Sequence, residues 1–127
     1  MNLKPIAVVA NGVTETPKDW EKVISKLIFR RDFLKGLYRL GHFKHVWVIF
    51  GFHRQRETSL KVHPQHNPKK PLVGVFASRS PTRPNKIGLT LVRLVSVRGN
   101  IVTVEGLDAF DGSPVFDVKP YEEEIDY

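Results

Sequence analysis

No cysteine occurs in the 127 residues, so disulfides, thiolate nucleophiles and sulfur-ligated metals are all closed to this chain. No apolar run approaches the roughly 20 residues of a membrane-spanning helix, and MNLKPIAVVA at the start lacks the apolar core and cleavage region of a signal peptide. A cytoplasmic protein without membrane association is expected. Neither G-x-G-x-x-G nor a Walker lysine motif is present, which gives no support to a Rossmann or nucleoside-triphosphate site. There is no nucleophile elbow, and Ser78 and Ser80 have no marked base partner. Internal repeats and low-complexity segments are absent as well. Acidic residues are scarce until late in the chain: positions 1–104 hold 19 Lys/Arg against 5 Asp/Glu, whereas 105–127 hold 1 against 8. A basic body with an acidic tail favours a polyanionic partner, nucleic acid first.

What is present suits a single domain over residues 1–127, 41% hydrophobic and with no compositional break. Residues Leu3–Ala10 end in a β-rich run followed by the turn-forming pair Asn11-Gly12. Val23–Phe29 alternates as a strand does, and a helix is expected from about Asp32, a possible cap, to Leu40, with Gly41 as its stop. His45–Phe52, HVWVIFGF, reads as a strand buried on both faces. The long polar stretch 53–71 is expected to be loosely ordered. Leu72–Ala77 reads as another strand, and a further one resumes at Ile87. Leu89–Val97 and Ile101–Leu107 form a hairpin across Arg98-Gly99-Asn100. Asp108–Pro114 is a turn, VFDVKPY a last strand, and EEEIDY a solvated end. The sum is a mainly β fold, a small antiparallel β-barrel of about six or seven strands with one or two short helices, since closure removes exposed edges.

Three groups of residues stand out chemically. Between Leu72 and Leu94 no acidic residue occurs, and Pro81 and Pro84 stiffen a loop that carries Arg79, Arg83 and Lys86. Gly74 and Gly88 lie in strand-like runs, where glycine marks a bulge or a close approach. His53, His63 and His66 offer three imidazoles, but their spacing matches no zinc motif and no metal is expected. Asp108 and Asp111 flank a turn preceded by Glu105. Turn chemistry explains that pattern, as does a carboxylate cluster that binds hydroxyl or amino groups or a cation. Phe76, Phe110 and Trp47 are candidates for an aromatic face towards a flat ring or a sulfonium, or for core.

The stretches GVFASRSPTRPNKIGLTLVRL and VEGLDAFDGSPVFDVKPY, with WVIFGFH from Trp47 to His53, resemble the TrmO/TsaA-like family of S-adenosylmethionine-dependent tRNA methyltransferases. The resemblance is strong over residues 72–121. It implies a β-barrel methyltransferase that works as a homodimer, with S-adenosyl-L-methionine near the subunit interface. The family's reaction is methylation of the exocyclic nitrogen of a threonylcarbamoyl-modified adenosine beside the tRNA anticodon. By motif match, His53, Arg54, Arg79, Leu89, Glu105, Gly106, Leu107 and Asp108 would contact the cofactor. Asp111 and Arg83 lie in matching motifs without an assigned role. A Pro-Arg-Gln contact of the family is missing, Pro17-Lys18-Asp19 being its nearest counterpart, and Lys86 stands where the family has proline. The resemblance ends soon after Lys119-Pro120-Tyr121, short of the extra C-terminal domain of longer members.

For such a reaction the protein mainly aligns an acceptor nitrogen behind an activated methyl carbon and excludes water. Imidazole is the side-chain type suited to proton transfer at neutral pH, which makes His53 the candidate proton acceptor, with Asp111 the second catalytic candidate. Arg30, Arg31, Arg54, Arg56, Lys69, Lys70 and Arg83 are candidate contacts to tRNA phosphates, which predicts salt-sensitive binding. The alternatives are a non-catalytic RNA-binding barrel, a methyltransferase for another substrate, and a metal-dependent hydrolase built on the three histidines.

Overall fold

The computed structural model describes residues 1–126. Its strands are β1 (Ala7–Ala10), β2 (Ile24–Phe29), β3 (His45–Gly51), β4 (Lys61–Val62), β5 (Val73–Gly74), β6 (Ile87–Arg98), β7 (Ile101–Glu105) and β8 (Pro114–Pro120). Six of them close an antiparallel barrel in the order β1-β2-β7-β6-β3-β8, while β4 and β5 pair with each other as a separate arm. The ring closes because β1 is shared: Ala7 is opposite Phe29 on one side and Val115 on the other. Alternation supplies the core, with Leu27, Val46, Val48, Phe50, Val92, Val102, Val104 and Val115 all buried on the inner face. The mainly β barrel expected from the sequence is therefore present.

Several elements differ from their sequence reading, each for a physical reason. Residues 32–40 form no α-helix; two 3-10 helices, Arg31–Leu37 and Leu40–His42, take its place. Arg39 between them has φ +70°, which no continuous helix accepts, so Gly41 lies inside the second 3-10 turn and is not a stop. Asp32 does not cap; its carboxylate accepts from the Arg30 guanidinium at 3.3 Å. The run Leu72–Ala77 is strand only at Val73–Gly74, then winds into a 3-10 turn over Val75–Ala77 that buries Val75 and exposes Phe76. The stretch 53–71 is built, with β4 paired to β5 and a 3-10 turn at Pro64–His66. β3 is buried on one face only, since Trp47 and Ile49 on the other are half exposed. β7 stops at Glu105 because Gly106, at φ +99°, turns the chain out of the sheet. The acidic end is not merely solvated: Glu123–Asp126 forms one α-helical turn, α1, and Asp126 accepts the Trp47 indole N–H at 3.2 Å. Tyr127 lies outside the described residues.

Of the two glycines that the sequence reading placed in strand-like runs, Gly88 has the close neighbour. A Cβ there would meet Phe50 Cζ at 2.6 Å and Phe52 Cζ at 2.8 Å, whereas one at Gly74 would meet nothing nearer than 3.9 Å. Gly88 thus lets the Phe50 ring lie against β6 at one end of the barrel. The registers gather the same end from the C-terminal ends of β1, β3 and β7 and the N-terminal ends of β2, β6 and β8. No helix among the described residues is long and apolar enough to cross a membrane.

Candidate functional site

At this end a cleft of about 1260 Å³ opens between the turn 106–113 and the arm carrying β4 and β5. Its apolar floor and sides come from Trp20, Phe50, Phe52 and Phe110. Trp20 meets Phe110 edge to face at 5.5 Å between centroids, and the Arg54 guanidinium lies 4.3 Å from the centre of the Phe110 ring. Arg54 also donates to the Thr14 carbonyl at 2.6 Å, which ties the segment after β1 to the cleft wall.

Two residues from distant parts of the chain are fixed by neighbours on one strand. Arg79 donates through Nη1 to the Leu89 carbonyl at 3.1 Å, and Asp108 accepts the Thr90 hydroxyl at 2.5 Å. Leu89 and Thr90 are consecutive residues of β6. An exposed guanidinium and an exposed carboxylate that both line the cleft are thereby anchored on adjacent residues, each with hydrogen-bonding capacity left over.

His53 follows β3 after two residues and lines the cleft, with its Nδ1 3.3 Å from the hydroxyl of buried Ser113. Asp111 stands behind this wall and does not line the cleft. Its Oδ1 accepts the backbone N–H groups of Asn11 at 2.9 Å and Gly12 at 3.0 Å. Those amide bonds, Asn11 first and then Gly12, hold the Asp111 carboxyl below its ordinary value of 3.8, with a smaller contribution from nearby His53. Gly12 has φ +71° and Gly112 φ +85°, so both turns joined by Asp111 use backbone that favours glycine.

The cleft thus brings together His53, Arg54, Arg79 and Asp108 of the expected cofactor contacts. The other four are placed differently. Leu89 contributes its carbonyl to Arg79 and turns an exposed side chain to the outside of the barrel. Glu105 is paired with Arg93 at 2.9 Å, the Gly106 N–H is bonded to the Val23 carbonyl at 3.0 Å, and Leu107 is core.

The candidate RNA contacts also divide. Lys70 lines the cleft, Lys69 adjoins it in sequence, and Arg56 is exposed on the connection between β3 and β4. Arg30 and Arg31 follow β2 at the opposite end of the barrel. Arg83 is turned into its own loop, with Nη1 within 3.3 Å of the carbonyls of Val75, Ser78 and Ser80. Lys86 is likewise committed, to the carbonyls of Glu57 and Arg83 and the Thr58 hydroxyl.

Phe76 and Trp47 do not join Phe110. Phe76 stands exposed 5.8 Å from the Arg83 guanidinium, and Trp47 belongs to the outer face with Tyr121. His63 and His66 line the cleft with His53, but among the described residues no set of His, Asp or Glu converges to hold a metal ion.

Trp20, Thr90 and Ser113 belong to the site yet were given no role from sequence. Ser113 lies inside the DAFDGSP turn, and its position two residues after Asp111 was the available signal. Trp20 and Thr90 carried none, because their partners are 90 and 18 residues away.

Comparison with known proteins adds a family to this geometry. The profile of the tRNA-methyltransferase O N-terminal domain matches residues 9–127. An S-adenosyl-L-methionine-binding protein of Archaeoglobus fulgidus is 35% identical over 131 residues, covering 99% of this chain and 93% of that one. A human tRNA (adenine(37)-N6)-methyltransferase is 45% identical over 94 residues, 72% of this chain but 21% of its own length. The crystal structure of TrmO from Pseudomonas aeruginosa superposes with a TM-score of 0.79 at 28% identity, covering 99% of this chain and 58% of that one. The chain also spans 50% of a probable S-adenosyl-L-methionine-binding protein of Pyrococcus abyssi.

Proposed function

The chain belongs to the tRNA-methyltransferase O N-terminal domain family, and on that premise we propose that it binds S-adenosyl-L-methionine in the cleft and methylates the exocyclic nitrogen of threonylcarbamoyladenosine beside a tRNA anticodon. The observation that carries this reading is the joint anchoring of Arg79 and Asp108 on Leu89 and Thr90, which aims opposite charges into one cleft. A zwitterionic nucleoside cofactor has hydroxyl and ammonium groups for a carboxylate, a carboxylate for a guanidinium, and a flat base for Trp20, Phe52 and Phe110. At about 1260 Å³ the cleft exceeds the roughly 300–1,000 Å³ of small-ligand sites, which leaves room for an acceptor nucleotide.

When bound, the cofactor supplies a methyl group already activated on a sulfonium. The chain's own part is orientation and water exclusion. Asp108 binds polar groups of the cofactor through the oxygen that Thr90 leaves free. Arg79 and the arm form the facing wall, while Arg54 and Phe110 close the side nearest the residue 14 loop. His53 receives the proton that leaves the acceptor nitrogen. Lys69, Lys70 and Arg56 meet phosphates of the RNA.

A second copy of the chain completes the assembly. Support comes from the outer face of β6, where Ile87, Leu89 and Leu91 are exposed beside half-exposed Trp47 and Ile49 of β3. This apolar row continues from the strand that anchors Arg79 and Asp108, consistent with a cofactor site near a subunit interface.

Calorimetric titration of S-adenosyl-L-methionine into cofactor-stripped protein tests the reading, followed by methyl transfer to tRNA with and without the threonylcarbamoyl group. Micromolar binding by the parent, weakened at least about tenfold in Arg79→Ala and in Asp108→Ala, is expected. No binding by a folded parent defeats the proposal. Binding without transfer to either RNA reduces the function to cofactor binding.

A further inference from the structure

We propose that Ser113 is the positioning residue that fixes His53 as the Nδ1–H tautomer and so leaves Nε2 as the proton-accepting atom. The inference deepens the methyl-transfer reading and rests on it for its functional meaning, though not for its chemistry. It follows from a count of protons. The Ser113 hydroxyl has one, and two atoms lie in reach of it: the Phe110 carbonyl oxygen at 2.7 Å and His53 Nδ1 at 3.3 Å.

A carbonyl oxygen can only accept, and it is the nearer partner, so the hydroxyl proton goes to Phe110. The lone pairs of the Ser113 oxygen then face Nδ1, and the contact is a hydrogen bond only if Nδ1 carries the proton. The neutral ring is left with its free lone pair on Nε2. Ser113 is 2% exposed, so its hydroxyl is left to these two protein partners, and no buried side-chain polar atom among the described residues lacks a partner.

The surroundings hold this relay in place. The Ser113 carbonyl accepts the Val9 N–H at 2.9 Å, and its own N–H is bonded to the Phe110 carbonyl at 3.1 Å, so its backbone is fixed on both sides. Gly112 passes beside the ring, and a Cβ there would lie 3.7 Å from Nε2. A methyl acceptor that loses a proton during the reaction needs a neutral lone pair beside it, and an imidazole whose other nitrogen is held as a donor provides one. Without the hydroxyl, His53 exchanges tautomers freely, and a fraction of the molecules carries a proton on the atom that should receive one.

Long-range proton–nitrogen correlation spectra of the His53 ring, recorded where the imidazole is neutral, read the tautomer directly and require neither cofactor nor RNA. The parent is expected to show Nδ1 protonated. Ser113→Ala should shift the ring towards Nε2–H, and Ser113→Thr, which restores the hydroxyl, should return it. In the transfer assay Ser113→Ala is expected to lower kcat roughly tenfold while the affinity for S-adenosyl-L-methionine stays unchanged. A parent spectrum with Nε2 protonated overturns the inference even if Ser113→Ala fails to fold, as does a folded Ser113→Ala with the parent's tautomer. If the tautomer behaves as described and no RNA is methylated, the relay stands and the methyltransferase reading is what fails.

Discussion

The two walls of the cleft are held by opposite chemistry. On the turn 106–113, a carboxylate accepts from backbone amides, Asp111 from Asn11 and Gly12. On the loop 75–86, cations donate to backbone carbonyls, Arg83 to Val75, Ser78 and Ser80, and Lys86 to Glu57 and Arg83. Each wall therefore carries two kinds of charged residue. One kind points into the cleft, Asp108 or Arg79, and the other pins the backbone that presents it. Sequence motifs contain both kinds side by side and do not sort them. The pinning residues do not line the cleft through their charged atoms, so their loss should soften a wall without removing a ligand contact, although Asp111 also bears on His53 through its charge.

The largest effect is expected where both walls lose their common support. Gly88→Ala places a methyl against the rings of Phe50 and Phe52, and overpacking at such a site costs about 1–3 kcal/mol. Urea denaturation should show that loss, and cofactor affinity should fall with it because β6 carries the anchors of both walls. Arg83→Met should loosen one wall alone. It removes a charge-assisted set of bonds worth about 1.5–3 kcal/mol to the loop, so hydrogen exchange should quicken by roughly 10–100-fold at the Ser78 amide while amides in 106–113 keep the parent's protection.

Asp111→Asn tests the other wall by pH. The folded carboxyl titrates below 3.8, so its stabilisation is complete above that value and is lost as pH falls through the lower, folded-state value. The variant should lose less stability than the parent over that acid range, and equal acid sensitivity would remove Asp111 from the pinning role. Arg30→Ala should do least. Its partly exposed pair with Asp32 lies at the far end of the barrel, and a change within about 0.5 kcal/mol with unaltered cofactor binding is expected.

Much of this arrangement is legible in the sequence because alternation and turn chemistry are local. The strand at His45–Gly51 and the hairpin across Gly99-Asn100 follow from residues within a few positions of one another. The motifs also carried Arg79, Asp108 and His53 to one cleft. What failed was decided by distant partners. Leu72–Ala77 has the composition of a strand, but β4 offers it only two residues to pair with, and Arg83 gathers the carbonyls of Val75 and Ser78 into a turn. The helix at 32–40 fails because Arg39 takes a left-handed conformation that composition does not announce. Asp111 and Arg83 read as candidate ligands because a charged residue that bonds to backbone looks, in sequence, like one that bonds to substrate.

Closure of the ring through β1 also bears on the order in which this protein matures. Ala7 needs Val115 as its neighbour, and Asn11 needs Asp111, so the first strand of the barrel in chain order waits for the last. Long-range pairing of this kind makes folding slow relative to helical domains. The His53 wall and the clasp on Asn11-Gly12 form only when that late segment arrives. Until β8 pairs, the cleft therefore lacks one of its walls, and the pocket and the closed ring arrive together.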